Sequence, residues 1–172
     1  MHVQTHILSG WCLGNLFRFN PRERFFCMLA AALPDIDGLG IIISQELFWD
    51  YHHIVGHNLF VGLLLAGILT IFSHSRIKAF CVYLGLFHLH LVMDLFGSGP
   101  KWTIMYFYPL SKWEAEYSHA WKLYSWQNLT AFFILLIWTL IIIAVKKRTP
   151  LEYPMPKLDK QLVDLAKKIA RR

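Results

Sequence analysis

Charge is scarce in this sequence. Asp, Glu, Lys and Arg together make up 16% of the 172 residues, against about 25% in an ordinary soluble domain. A chain with so few charges does not cover its whole surface for water, so part of that surface is expected to face lipid. Cysteine is scarcer still. Cys12, Cys27 and Cys81 stand in apolar stretches without CxxC spacing. That excludes a thiolate metal cage and a disulfide framework, and leaves them as small buried hydrophobes. No Lys or Arg precedes Arg18, so the basic start of a cleavable signal peptide is missing and the N-terminus is expected to remain in the mature protein. Repeats and low-complexity tracts are absent too. The net charge of +6 is not laid out as a basic stripe interleaved with stacking aromatics, so nucleic acid is not an expected partner.

Hydrophobic residues, 56% of the chain, are abundant and come in long runs. Crossing a bilayer takes roughly 20 mostly apolar residues in a helix. Residues 129–145 contain no charge, and 59–72 and 79–96 are nearly as clear. Residues 25–43 are apolar except for Pro34, Asp35 and Asp37, while 6–17 is short and reads as a tilted or partly buried first helix. The expected fold is all-α: a polytopic membrane bundle of about five helices with a C-terminal amphipathic helix.

The basic residues support that count. Arg18, Arg22 and Arg24 follow the first helix, Arg76 and Lys78 the third, and Lys146, Lys147 and Arg148 the fifth. Five alternating helices put all three clusters on one side, which the positive-inside rule makes the cytoplasm. Glu46, Asp50, Glu114 and Glu116, with Lys101, Lys112 and Lys122, fall on the other side. Residues 1–148 then form the membrane-embedded domain, and 149–172 a proline-broken linker and tail. In the tail Leu158, Leu162, Leu165 and Ile169 recur at helical spacing among Lys157, Lys160, Lys167, Lys168, Arg171 and Arg172. The pattern suits a basic amphipathic helix on the cytoplasmic leaflet, or a solvated helical tail. The aromatics from Trp102 to Trp126 read as an interfacial belt, and Glu114, Glu116 and His119 among them as a solvated loop face or a source of one further ligand or base.

Several ionisable side chains stand inside or beside the apolar runs, where each costs about 2.5 to 3.5 kcal/mol on insertion scales. They are Asp35 and Asp37 in LPDID, His90 and Asp94 in HLHLVMD, His52, His53 and His57 in DYHHIVGHN, and His6 near the start. His90 and Asp94, four apart, share one face of a helix and suit one ion. His53 and His57 have the same spacing if their stretch is helical, and His52 to His57 suits a turn leading into a helix. Imidazole with carboxylate fits zinc, manganese or iron, and the number of carboxylates leaves room for two or more ions. By the charge alternation the whole set lies at the non-cytoplasmic face. His88 points away from His90 and reads as a packing residue, His74 as an interfacial one, and His2 as a terminal residue without a role.

In their order, THxxxG at 5–10, LPDID at 33–37, the His52 to His57 segment and HxxxD at 90–94 resemble the YdjM-like family of membrane-bound metal-dependent hydrolases, from about Thr5 to Pro109. That family's histidine segment usually reads HRGxTHS. Here His53 replaces the arginine, Ile54 the glycine, Gly56 the threonine and Asn58 the serine, while His52 and His57 keep the outer histidines. The family is also distantly similar to zinc-dependent phospholipase C. The resemblance implies a hydrolase in a bacterial-type cytoplasmic (inner) membrane, acting on a phosphoester or other ester of a lipid-like or envelope substrate. The expected ligands are His6, Asp35, Asp37, His52, His57, His90 and Asp94, holding one or more divalent ions, zinc first. Asp37 or Asp94 is expected to take a proton from the attacking water. The rival expectations are a metal or proton transport protein and a non-catalytic assembly factor stabilised by metal. Membrane lipids are the expected surroundings.

Overall fold

The computed structural model describes residues 1–169, without the side chains of Leu47 and Asp50. Arg171 and Arg172 of the basic tail therefore lie outside the described residues. The regular elements of the described residues are all helical: α1 (Val3–Gly14), α2 (Pro21–Ala32) running into a 3-10 helix (Leu33–Ile42), α3 (Gln45–Tyr51), α4 (Leu59–Ile71), α5 (Arg76–Gly97), α6 (Trp126–Lys146) and α7 (Pro156–Ile169). Among the described residues there is no strand, only an isolated bridge between Ile104 and Ala115 in the loop before α6.

Three helices are long and apolar enough to cross a membrane: Pro21–Ile42, Arg76–Gly97 and Trp126–Lys146. α4 is apolar but shorter, and α1 has 12 residues. The five apolar runs are thus all helical, and three have the length to cross without help. Outward-facing Ile134, Ile137 and Ile141 are more than half exposed, as side chains facing hydrocarbon would be. The interior pairs large side chains such as Trp11, Tyr83 and Phe87 with small residues, which let backbones approach when lipid is as apolar as the core. Gly10 shows why: a Cβ there would lie 2.4 Å from Cys27 O and 2.8 Å from Met28 Cα, so α1 meets α2 at backbone contact. Ala30 and Ala31 of α2, Ala66 of α4 and Ala79 of α5 are buried in one cluster with Tyr83.

Local sequence sets the helix ends. Asn20 caps α2 in a reciprocal box with Glu23, and Pro21 takes the first helical position. Asn58 caps α4 by accepting from Val61 N at 3.0 Å, and Ser125 caps α6. Asn128 beside it is wholly buried. Its Nδ2 donates to Gly97 O at 2.7 Å and Leu123 O at 2.8 Å, and its Oδ1 accepts from Trp121 Nε1 at 2.6 Å. Asn128 thereby ties the start of α6 to the end of α5.

The basic clusters come together at one end of the bundle. Arg24 grips Glu152 through Nε at 2.5 Å and Nη2 at 2.7 Å. Arg22 donates to Phe72 O, Lys78 lies over the Phe17 and Phe19 rings, and Lys146 donates to Asn15 O. In the tail, Thr149 N donates to Asp159 Oδ1 at 2.6 Å, and α7 leaves Leu158, Leu162, Leu165 and Ile169 exposed. The candidate ligands His6, Asp35, His57, His90 and Asp94 lie at the opposite end, beside the start of α1, the end of α2, the start of α4 and the end of α5.

Candidate metal centre

Pro34 cannot donate a backbone hydrogen bond and disfavours continued α-helix. At this point α2 tightens into the 3-10 helix, and Asp35 and Asp37 are carried on that tighter turn. The last turn of an α-helix also leaves carbonyls to be satisfied from elsewhere. Ala31 O accepts from His90 Nδ1 at 2.7 Å. On α5, Asp94 follows His90 by one turn, and His90 Nε2 approaches Asp94 Oδ2 at 2.8 Å.

The segment between α3 and α4 is neither helix nor strand, so His53 and His57 do not share a helix face. Gly56 brings His57 inward. Its N–H donates to Asp37 Oδ2 at 2.8 Å, and a Cβ there would lie 2.1 Å from Pro34 O, so only glycine fits so close an approach. Asn58 caps α4 immediately afterwards. Gly56 and Asn58 thus both serve the local geometry of this segment.

Four side chains converge. One ligand atom each from Asp35, His57, His90 and Asp94 lies within 4.8 Å of the others. His57 Nε2 is 3.0 Å from His90 Nε2, 3.3 Å from Asp94 Oδ2 and 3.8 Å from Asp35 Oδ1. His90 Nε2 is 3.6 Å from Asp35 Oδ1. Three of the four are buried, His57 fully enclosed and His90 and Asp94 1% exposed, and Asp35 is partly buried.

The hydrogen bonds fit a cation at this point. His90 Nδ1 faces a carbonyl, and His57 Nδ1 faces Asp37 Oδ2 at 3.0 Å. Both are acceptors, so both rings carry their hydrogen on Nδ1, and in the neutral rings both Nε2 atoms present lone pairs. Asp35 Oδ2 and Asp94 Oδ2 are buried without a hydrogen-bond partner. Lone pairs and carboxylates crowded together repel each other. A divalent ion placed among them would satisfy lone pairs and carboxylates at once. Donation from the far nitrogen to a carboxylate or carbonyl is also the usual support for a metal-binding histidine.

The other expected ligands stand around this core. His6, fully buried on α1, approaches Asp94 Oδ1 with Nε2 at 3.1 Å, and its ring lies 3.9 Å from that of His90. Ser98 and the Met1 amino group also donate to Asp94 Oδ1. Asp37 lies behind the cluster with both oxygens engaged, Oδ1 by His52 Nδ1 at 2.7 Å and Oδ2 by His57 and Gly56. His52 contacts Asp37 and none of the four ligand atoms. Its neighbour His53 comes nearer, with Nε2 3.8 Å from Asp94 Oδ2. Burial, and then the neighbouring His57, hold the His53 imidazole well below its usual range. The turn at His53, with φ 70°, decides which ring faces inward; histidine spacing does not encode it. His88, as expected, faces elsewhere, bonded to Leu84 O and the Tyr106 hydroxyl.

An all-helical membrane protein with a buried histidine and carboxylate cluster fit for a metal ion is the class that this fold and site define. The chain matches the model of the YdjM inner membrane protein family over residues 1–154 and belongs to that family. No curated protein and no solved structure matches it.

Proposed function

We propose that this protein is a membrane-embedded metal-dependent hydrolase that cleaves an ester, a phosphoester first, of a lipid-like substrate. The observation that carries the reading is the convergence of His57 Nε2, His90 Nε2, Asp35 and Asp94 within 4.8 Å, with both imidazoles held by their far nitrogens. Asp35, His57, His90 and Asp94 would hold the ion, zinc by the donor set, with His6 beside Asp94 Oδ1 as ligand to the same or a second ion. A bound divalent ion supplies acidity to water and neutralises charge developing on a phosphoryl or acyl group. Asp37, with both oxygens engaged, is a positioning residue that sets the His57 ring. Asp35 Oδ2, buried and without a partner, is the carboxylate oxygen free to take a proton from water. Asp94, placed between His90 and His6, fixes the relation of the two histidines.

Apolar packing supports hydrolysis over transport. Between the cluster and the basic end lie Cys27, Ala30, Ala66, Leu69, Ala79 and Leu86, and a polar ladder would have to pass through them. The gathered basic residues favour placing that end in the cytoplasm, with the C-terminus, and the cluster toward the non-cytoplasmic face, where membrane lipids are at hand. The test is incubation of detergent-purified, zinc-loaded protein with a panel of phospholipids and neutral ester lipids, products read by mass spectrometry. Metal-dependent release of a product, abolished in Asp94→Asn, is expected. No lipid consumed, or an undiminished Asp94→Asn variant, contradicts the reading.

A further inference from the structure

Beside the cluster opens a cavity of about 320 Å³ lined by Trp49, His52, Pro100, Lys101, Trp102 and Thr103. Ile54 and the two tryptophans make part of its wall apolar, but it also holds Lys101, whereas three other grooves of the bundle are lined without any Lys, Arg, Asp or Glu. His52 closes it on the side of the cluster, its Nδ1 bonded to Asp37, which also holds His57. The Trp102 ring lies 4.6 Å from that of His53 and 5.3 Å from that of His52. His53 in turn reaches within 3.8 Å of Asp94 Oδ2. A molecule in this cavity is therefore one side chain away from the candidate ligands.

Lys101 supplies the recognition chemistry. It is exposed, it stands at the cavity wall, and none of the ion pairs among the described residues involves it. Its backbone is left-handed, φ 70°, two residues after Gly99 at φ 114°, so the turn at Gly99-Pro100-Lys101 sets the direction in which this side chain leaves the backbone. A lysine ammonium is a compact point charge suited to phosphate oxygens. Thr103 adds a hydroxyl, and the Trp49 and Trp102 rings, 5.5 Å apart, add apolar walls of the kind that amphiphilic molecules meet at a membrane interface.

We infer that this cavity is the binding site for the phosphate group of a substrate or product, with Lys101 as its cationic contact. This rests on the hydrolase reading and deepens it by naming the group recognised. Two sources share the chemistry: an alkyl phosphate headgroup and free phosphate.

The test uses the full chain in neutral maltoside detergent, wild type beside Lys101→Gln and Lys101→Arg, with zinc content measured in each sample. Dodecyl phosphate is titrated by calorimetry, and inorganic phosphate is added as competitor. Wild type should bind dodecyl phosphate, Lys101→Gln should bind it on the order of tenfold more weakly, as loss of one charge-assisted contact implies, and Lys101→Arg should retain binding. Zinc content should be equal in all three. Displacement by inorganic phosphate at concentrations similar to dodecyl phosphate identifies free phosphate as the ligand; resistance to it identifies the headgroup. Equal binding by wild type and Lys101→Gln, or no binding by wild type, overturns the inference, as does zinc loss in Lys101→Gln. Phosphate binding by a protein that takes up no zinc would overturn the hydrolase reading and leave the cavity as an anion site.

Discussion

His57 Nε2 and His90 Nε2 face each other at 3.0 Å, and the contacts of both rings place their hydrogens on the opposite nitrogens. The two rings arrive from different parts of the chain, one from the turn before α4 and the other from α5. Each is held from behind, by Asp37 and by Ala31 O. Two lone pairs held this close beside two carboxylates describe a place prepared for a cation.

If Asp37 acts by orienting His57, Asp37→Asn should weaken metal affinity by about 10- to 100-fold, the usual cost of losing such a partner, while the protein still inserts and purifies. Competition against a graded zinc chelator measures this. Affinity equal to wild type would make Asp37 a bystander.

Gly56→Ala places a methyl carbon against Pro34 O and Asp37 Oδ2. Overpacking of this kind costs about 1–3 kcal/mol, so the variant should melt at lower temperature in detergent and lose metal along with the displaced His57. Unchanged melting and unchanged zinc content would show that the turn relaxes freely.

Metal affinity should fall on acidification. Ligating imidazoles must be neutral and ligating carboxylates ionised, so protons compete with the ion and the loss grows as pH descends. The sign is fixed: more acid, less metal. Zinc retention measured after dialysis between pH 8 and pH 5 tests it, and retention independent of pH contradicts a histidine-built site.

Asn128→Ala removes the bonds to Gly97 O, Leu123 O and Trp121 Nε1. Buried groups left unpaired cost about 1–3 kcal/mol, so a lower melting temperature is expected, with zinc content retained because Asn128 touches no candidate ligand. Loss of zinc in this variant would mean that α5 is held in place from α6.

Much of the bundle was legible because lipid imposes long apolar runs on a helix that crosses it, and residues 129–145 can be little else. His90 and Asp94 were legible for a related reason: helical spacing states which side chains share a face. Other features carry no such periodic signal. α3 (Gln45–Tyr51) is short and mixed in composition, and the change from α to 3-10 winding at Leu33 depends on how Pro34 packs as well as on its presence. Asp35 and Asp37 look alike in LPDID, and only their partners distinguish them: Asp37 meets His52, His57 and Gly56, whereas Asp35 Oδ2 meets none. His52 and His53 cannot be ranked by spacing either, since residues 52–58 follow no regular winding and a left-handed turn at His53 directs its ring toward Asp94. The cavity at Lys101 joins residues about fifty positions apart in sequence, which no local pattern foretells.

The measurement that tests the account most directly is the metal content of detergent-purified protein, wild type beside His90→Ala, by elemental mass spectrometry. The account predicts near-stoichiometric or greater zinc, or another divalent transition metal, in wild type and its loss from His90→Ala at equal yield of folded protein. Wild type without metal after reconstitution, or His90→Ala holding as much as wild type, would contradict it.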